Sequence, residues 1–498
     1  MSARTDTGDI AEFEEEFTPG ATRTPLVIKL LVAATFVVIL NETIMVNALP
    51  RLMDDFSITE RSAQWLSTIF MLTMAAVIPV TGWFLQRVST RTAYTTAMST
   101  FIVGTLLAAV APTFEVLLMA RVVQAGGTAV MMPLLMTTLM TVVAPEDRGR
   151  VMGQVTLAMS CAPAMGPAVS GVLLHFGSWR LMFITVLPIA IFVSIAGLRL
   201  LENVGEPRTS PISWPSVVLA AAGFGSFVFG LSKVGAAPWL ESGLIITTGV
   251  VLIAAFVLVQ LRLQRTDGPL LDLRALLHRN FRISLVLMAA GFMAFLGSMI
   301  LLPLYLQKLR GLSELETGLL VMPGGLAMGL LGPQVGKLFD RIGARPLVVP
   351  GSIGMVALLF AMSRIDADTP YAAILALHVA LMVTLAMVFT PVFTIGLGDL
   401  PPHLYSHGSS LLGTLQQVAG AVGTALLIVV MDSRSEHLVK GGSTPAEGFV
   451  GGLQWAFAAG AAIGVVVVAM ALLLPSRVDA SGEAPDSAQE DDPACHSA

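Results

Sequence analysis

Fourteen long apolar stretches limit what this chain can fold into. Each has roughly the 20 residues that an α-helix needs to cross a bilayer. They begin near Leu26, Ala63, Thr92, Glu115, Val151, Arg180, Ser213, Leu240, Ile283, Leu315, Arg345, Tyr371, Gly408 and Gly452. Only 12% of the 498 residues are charged, about half the usual share of soluble domains. The sequence therefore predicts an all-α polytopic membrane protein and excludes a soluble one.

The distribution of Lys and Arg residues predicts the orientation. If both termini lie in the cytoplasm, the inside segments hold about twice as many of these residues as the outside segments. Cytoplasmic loops carry such an excess, so we expect a multi-pass protein of the plasma membrane with both termini inside. The acidic tails, residues 1–24 and 476–498, are expected to be disordered. No cleavable signal peptide is expected, because the start is acidic and polar.

The longest basic inside loop covers residues 261–282 and reads LRLQRTDGPLLDLRALLHRNFR. Its leucines and its five arginines predict an amphipathic helix that lies on anionic lipid headgroups. A binding site for a partner is the alternative interpretation.

One carboxylate interrupts the first apolar stretch. Glu42 is the only acid in LVAATFVVILNETIMVNALP, residues 31–50, and an acid at the centre of a span costs about 2.5–3.5 kcal/mol on insertion scales. A carboxyl group is neutral when buried and ionised when hydrated, so it could carry a proton and compete with a cationic substrate. Alternatively, Glu42 only forms hydrogen bonds with Asn41, Asn47 or a neighbouring helix.

Arg121 is the only basic residue well inside an apolar stretch. A cation there needs anionic or polar neighbours, so we expect it to pair with Glu42 or to bond backbone carbonyls of the first span. A role in helix packing alone is the alternative. Gln124 follows one helical turn later.

The chain contains a weak internal repeat. GWFLQRVSTR (residues 82–91) and GKLFDRIGAR (residues 336–345) share a glycine, an arginine five positions later and another arginine four positions beyond that. Parallel halves of this kind are typical of transporters. We expect six-helix halves at residues 25–200 and 283–475, with two inserted helices and the basic loop at 201–282.

These loops resemble the signature cytoplasmic loop of the major facilitator superfamily. The second copy matches at Gly336, Asp340, Arg341, Gly343 and Arg345, and the first at Gly82, Arg87 and Arg91, with Gln86 in place of the aspartate. RVVQAGG, which begins at Arg121, is similar to the superfamily's Arg-x-x-Gln-Gly motif. The fifth span resembles its antiporter motif at Gly153, Gly166, Pro167 and Gly171.

The fourteen spans and LNETIMVNALP resemble the EmrB/QacA-type drug:proton antiporter branch. TLQQVAGAVGTALL (residues 414–427) is similar to its lincomycin-resistance-like members. That branch usually has aspartate where this chain has Asn41, and moving the acid one place, to Glu42, turns it by about 100° around the helix.

This resemblance implies the major facilitator fold, with two six-helix bundles plus two inserted helices. It also implies proton-coupled efflux of hydrophobic or amphipathic, often cationic drugs; a dedicated exporter of one antibiotic or metabolite is the alternative. Arg121 and Gln124 would tune proton coupling, and the glycines of the fifth span would seal the cavity against a proton leak. Asp340 would form a cytoplasmic latch with Arg341 and Arg345, a latch that Gln86 would weaken in the first copy.

We expect polarizable and amphipathic side chains to line the substrate cavity. The candidates are Asn41, Met45, Asn47, Trp65, Met71, Met74, Phe292, Phe295, Tyr305, Gln416 and Gln417. The expected partners are a small-molecule drug, protons and the lipid bilayer. We find no motif of an enzyme, a metal site, a cofactor or a nucleic-acid-binding protein, and we expect a monomer.

Overall fold

The computed structural model describes residues 24–45, 48–204, 212–235, 237–266 and 268–475. The helices within these ranges are α1 (Leu26–Ile44), α2 (Leu49–Phe56), α3 (Glu60–Ala63), α4 (Trp65–Arg87), α5 (Thr90–Ala109), α6 (Phe114–Val142), α7 (Arg148–Phe176), α8 (Arg180–Leu200), α9 (Trp214–Ser232), α10 (Trp239–Leu263), α11 (Arg279–Leu304), α12 (Glu314–Ile342), α13 (Arg345–Met362), α14 (Tyr371–Gly398), α15 (Tyr405–Lys440) and α16 (Pro445–Leu472). All but α2 and α3 are long and apolar enough to cross a membrane, which makes 14. The predicted count is confirmed.

Local sequence explains where these helices begin. The last one starts at Pro445, seven residues before the predicted Gly452, because a capping box lies ahead of its apolar run. The Thr444 hydroxyl accepts the Glu447 backbone N–H, and the Glu447 carboxylate accepts the Thr444 backbone N–H at 2.8 Å. Such a box satisfies amide groups that a helix start leaves free.

The long helices form two bundles and an inserted pair. Helices α1 and α4–α8 pack together, helices α11–α16 pack together, and α9 packs on α10. The inserted pair lies beside the bundles through contacts of α9 with α4 and α15. The predicted fold class, two six-helix bundles plus two inserted helices, is therefore observed.

The bundles meet mainly along two helix pairs, α7 with α12 and α4 with α15, and further contacts join α6 with α15 and α7 with α14. We call the end of the molecule at the 82–91 and 336–345 loops the inner end, since these loops are predicted to be cytoplasmic. Both helix pairs are in contact there: Gly149 lies against Gly336 and Gly82 lies against His407. The inner end of the molecule is closed.

The basic loop differs from its prediction. Residues 273–277 form a 3-10 turn and no amphipathic α-helix, and Leu270 and Leu271 are each only 1% exposed. They pack in a cluster with Ala220 of α9 and Phe256 of α10. The prediction of a helix on the lipid surface was wrong, because these leucines are buried against protein.

Candidate functional site

Glu42 lies deep in the membrane-spanning part of the first bundle. It is the third residue from the end of α1, but its neighbour Thr43 packs on Gly166, where an added Cβ would lie 2.5 Å from the Thr43 hydroxyl. Gly166 is ten residues inside the outer end of α7, and a helix rises 1.5 Å per residue, so the contact beside Glu42 lies about 15 Å below that end.

The side chain of Glu42 is surrounded by protein but is not fully buried. Protein atoms surround the side chain densely, yet part of its surface is open. A side chain facing lipid would have few protein neighbours on its open side. This combination is therefore what we expect of a group that faces an internal cavity.

Asn41 is fully buried, in contrast to Glu42. Neither polar atom of its side chain has a hydrogen-bond partner in the described part of the chain, and burying an unpaired amide is costly. An acid at this position would be enclosed, whereas the acid at the next position reaches open space. Asn47, also predicted for this site, lies outside the described residues.

Arg121 is held in a polar network inside the first bundle. It is 1% exposed; its Nε donates to the Leu66 carbonyl of α4 at 3.4 Å, and its Nη1 donates to the Gln124 Oε1 at 3.0 Å. Its guanidinium lies 4.1 Å from the centroid of the Phe70 ring. The amide of Gln124 in turn donates to the Thr105 hydroxyl on α5 at 3.0 Å. The polar network thus joins three helices, α4, α5 and α6.

Glu42 and Arg121 interact at a distance. Each lies within electrostatic reach of the other, but among the described residues the two do not form a salt bridge within 4.0 Å. The carbonyl that Arg121 binds belongs to α4 and not, as one interpretation had it, to the first span. The direct partners of Arg121 are therefore Leu66, Gln124 and the Phe70 ring.

The glycines of the antiporter-like motif occupy the closest contacts of α7. An added Cβ at Gly153 would lie 2.3 Å from the Gly332 carbonyl of α12, and one at Gly171 would lie 3.0 Å from Leu315 of the same helix. Gly166 instead faces α1, beside Glu42. The side chain of Pro167 lies outside the described part of the structure.

The 336–345 loop fastens α12 to α7. The two carboxylate oxygens of Asp340 accept the backbone N–H groups of Gly149 and Arg150 at 2.9 and 2.8 Å. A carboxylate at a helix start is favoured by the free amides and the helix dipole. Arg341 and Arg345 are exposed and have no salt bridge in the described ranges, so the predicted charge-pair latch is instead a contact between a carboxylate and a helix N-terminus. Gly343 ends α12 with a φ of 84°, which only glycine adopts readily.

The 82–91 loop makes a weaker contact across α4 and α15. The Gln86 amide donates to the His403 carbonyl at 2.8 Å, and Arg87 lies over the Trp83 ring. Arg91 donates to the Leu198 carbonyl within its own bundle. The two latches are unequal, as glutamine in place of aspartate predicts.

A family model for the Major Facilitator Superfamily matches residues 31–424. The chain belongs to this superfamily. It is 36% identical to the uncharacterized transporter YcnB of Bacillus subtilis, over 91% of the chain and 96% of that protein. It is also 36% identical to the lincomycin resistance protein LmrB of Listeria monocytogenes, over 84% of the chain and 89% of LmrB. The multidrug resistance protein B homolog of Mycobacterium tuberculosis is 30% identical over 77% of the chain and 72% of its own length.

A solved structure supports the fold. The human organic anion transporter TETRAN superposes with a TM-score of 0.64 at 13% identity, over 90% of the chain and all of the solved structure. At this identity the likeness is one of architecture alone. The relatives confirm the superfamily and the lincomycin-resistance-like branch inferred from the motifs.

In this superfamily member, some predicted cavity residues face open space and others do not. Met71 is 37% exposed and lies on the same face of α4 as Ile78 and Gly82, about two and three turns further out. Since Ile78 and Gly82 touch α15, Met71 faces the space above that contact. Met45 and Met74 are packed in the interior, 1% and 8% exposed.

Among the predicted cavity residues, those of the second bundle are aromatic rings and amide side chains. The partly exposed rings of Phe292 and Phe295 pack on Phe389, with centroids 4.8 and 6.0 Å from it. Gln416 and Gln417, also partly exposed, follow the Gly413 contact with α4 by one turn, and the Gln416 Nε2 has no partner in the described part of the chain.

Two predicted lining residues belong elsewhere. Tyr305 is fully buried, and its hydroxyl donates to the Asp366 carbonyl at 2.7 Å, so it anchors an outer loop. Trp65 packs on Phe229 of the inserted α9, with ring centroids 5.4 Å apart. Neither residue is part of the proposed cavity lining.

The sequence analysis missed the hydroxyl pairs that join the bundles. Thr81 pairs with Ser410 at 2.7 Å, Thr137 with Ser409 at 2.9 Å, and Thr156 with Thr390 at 2.9 Å. Ser and Thr inside an apolar helix commonly bond their own backbone, so nothing local marks these residues as partners across the molecule.

Proposed function

We propose that this protein exports hydrophobic or amphipathic, often cationic drugs in exchange for protons, by alternating access of its two bundles. The observation that carries the proposal is the placement of Glu42, an acid enclosed by protein with an open surface and a nearby cation. The relatives named for lincomycin and multidrug resistance support export as the direction of transport.

Glu42 acts as the proton carrier in this mechanism. When the site is dehydrated, the neutral carboxyl is favoured; when water enters, the ionised form is favoured. The ionised form also attracts a cationic drug, so drug and proton exclude each other from one site. Arg121 supplies a fixed positive charge that helps the proton to leave, and Gln124 holds that charge in place.

Drug contacts would come from the open surfaces of both bundles. Met71 offers a polarizable, adaptable surface, and the rings of Phe292 and Phe295 offer aromatic faces that suit flat or cationic groups. Gln416 and Gln417 add amide hydrogen bonds. Few fixed polar groups and many adaptable ones favour broad selectivity.

The latches determine which side of the membrane the site faces. We propose that the inner end is cytoplasmic, together with both termini, and that the structure has the cytoplasmic side closed. The contact of Asp340 with the start of α7 stabilises this outward-facing state. The protein would work in the plasma membrane as a monomer.

The proposal is tested in everted membrane vesicles that carry a preformed pH gradient. A cationic dye substrate should collapse the gradient with the unaltered protein and should have no effect with Glu42→Gln. Glu115→Gln is the matched control, because Glu115 is an exposed acid at the outer end of α6, and it should behave like the unaltered protein. If Glu42→Gln still couples dye movement to protons, Glu42 is not the carrier.

Export of a single antibiotic or metabolite is a second candidate, because several relatives are named for lincomycin alone. A resistance panel of unrelated compounds in a pump-deficient host separates the two. Protection against structurally unrelated compounds supports the multidrug exporter, and protection against one compound supports the dedicated exporter.

A further inference from the structure

The loop between α10 and α11 is buried to an unusual degree for a connection at the inner end. Gly268, Pro269, Leu270, Leu271 and Asp272 are all buried, although loops normally run over the surface. We call residues 268–275 the strap. The contacts of the strap show which helices it connects.

Gln260 of α10 fastens the strap to the inserted helices. Its side chain is fully buried; the Oε1 accepts the backbone N–H groups of Leu270 and Leu271 at 2.8 and 3.2 Å, and the Nε2 donates to the Ser216 hydroxyl of α9 at 2.8 Å. A buried glutamine with these partners fixes the path of the loop backbone. The strap therefore belongs structurally to the inserted pair.

The other side of the strap covers the junction between the bundles. Leu270 and Leu271 share one apolar cluster with Val80 and Trp83 of α4 and with Leu411 of α15. Helices α4 and α15 belong to different bundles, so the apolar cluster that the strap helps to form lies against both sides of a contact that alternating access has to break. The 273–277 turn, which begins within the strap, also contacts α15.

A buried charge of the strap faces the same junction. Asp272 is 3% exposed. Burial acts to raise the pKa of its carboxyl, but hydrogen bonds and charge from Arg274 bring that pKa below its ordinary value, so the group is ionised. It lies within electrostatic reach of His407, whose ring packs on Gly82 of α4. The Nδ1 of His407 has no hydrogen-bond partner among the described residues.

We propose that residues 268–275 form an intramolecular strap that holds the inner junction of α4 and α15 closed and has to leave it before the two helices part. The inserted pair α9–α10 then has a gating role, as the anchor of the strap. The inference rests on the proposed alternating access of the two bundles, but it requires neither a particular drug nor proton coupling.

A cysteine reporter in the junction tests the strap without transport. Cys161→Ser and Cys495→Ser remove the native thiols, and Ser410→Cys places one thiol at a fully buried position that pairs with Thr81. In everted vesicles an impermeant maleimide reaches this thiol only when the inner end opens. We expect Leu270→Ala with Leu271→Ala to raise the labelling rate about tenfold, as a shifted open–closed equilibrium requires.

The matched control is Leu277→Ala in the same loop, since Leu277 is 77% exposed; its labelling rate should equal that of the parent. Asp272→Asn keeps the size of the side chain and guards against misfolding of the double variant; it should raise the rate in the same direction but less. If both strap variants, present at parental levels, label at the control rate, the strap does not hold the gate.

The same experiment on a Glu42→Gln background separates the two proposals. A strap effect that survives there supports the strap even if proton coupling through Glu42 proves wrong. Parental labelling in every strap variant, with Glu42→Gln transport abolished, would overturn the strap alone.

Discussion

Two junctions between the bundles, α7 with α12 and α4 with α15, differ in the kind of atoms that come closest. Between α7 and α12 the closest approaches at the inner end are backbone on backbone, as where an added Cβ at Gly336 would lie 1.9 Å from the Gly149 carbonyl. Between α4 and α15 they are side chains: the Thr81–Ser410 hydroxyl pair, the His407 ring and the Gln86 amide. At the first junction backbone atoms make the closest approaches, and at the second side chains do.

This difference suggests that the two junctions move differently during alternating access. Close-packed glycine surfaces allow two helices to tilt against each other while they stay in contact. Hydrogen-bonded side chains can separate and be rehydrated at a modest net cost. We therefore assign the α7–α12 pair to the pivot and the α4–α15 pair, with the strap beside it, to the gate.

The strongest test of this comparison adds one methyl group to the pivot. Gly336→Ala forces the backbones of α7 and α12 apart, and overpacking of this kind costs about 1–3 kcal/mol. We expect drug efflux to fall by about tenfold or more, measured in cells with equal protein levels. Gly225→Ala on α9 is the control, because an added Cβ there meets nothing within 4 Å. Equal efflux by both variants would refute the pivot.

The second test removes the latch at the pivot. Asp340→Ala leaves the Gly149 and Arg150 amides without their acceptor, which costs about 1–3 kcal/mol. We expect faster maleimide labelling at Ser410→Cys from the inner side. Gln86→Ala removes one hydrogen bond at the gate and should raise the labelling rate less than Asp340→Ala does. A larger increase with Gln86→Ala would show that the Gln86 contact, and not the Asp340 contact, is the stronger latch.

The third test adds a methyl group to the gate. An added Cβ at Gly82 would lie 2.9 Å from the His407 Nδ1, and a side chain can yield where a backbone cannot. Gly82→Ala should therefore lower efflux less than Gly336→Ala does. Adding His407→Ala should restore part of the loss, because neighbouring residues are not additive. Absence of any rescue would mean that the ring is not what the methyl group meets.

The smallest effect is expected at a single hydroxyl pair. Thr156 of α7 and Thr390 of α14 pair across the bundles, both buried. Thr156→Val should lower the free energy of unfolding by about 1 kcal/mol, measured as a lower Tm of the purified protein. Thr156→Val with Thr390→Val should recover most of it, since no unpaired hydroxyl then remains. A double variant less stable than the single one would contradict this account.

The spans were predictable because a bilayer requires about 20 apolar residues from every crossing helix. Glu42 and Arg121 were predictable for the related reason that charges in such helices are rare and costly. Both arguments need only local sequence. The family motifs add the identity of Gly153 and Asp340, which local physics alone does not mark.

What remained out of reach depends on distant partners. The leucines of the strap have the same hydropathy whether they face lipid or protein, so Leu270 and Leu271 suggested a surface helix. Tyr305 has the chemistry of a cavity residue, but its hydroxyl is used by a loop carbonyl 61 positions away. The target of Asp340 is a pair of backbone amides, which no side-chain pattern reveals.

The position of α9 also limits the routes by which a hydrophobic compound can reach the interior of the protein from the bilayer. Helix α9 packs on α4 and on α15, from the Trp65–Phe229 contact at the outer end to the Val80 and Trp83 cluster further in. Where α9 lies, acyl chains cannot touch this seam. A compound dissolved in the bilayer therefore has to approach by another flank, so sideways entry from the membrane is asymmetric.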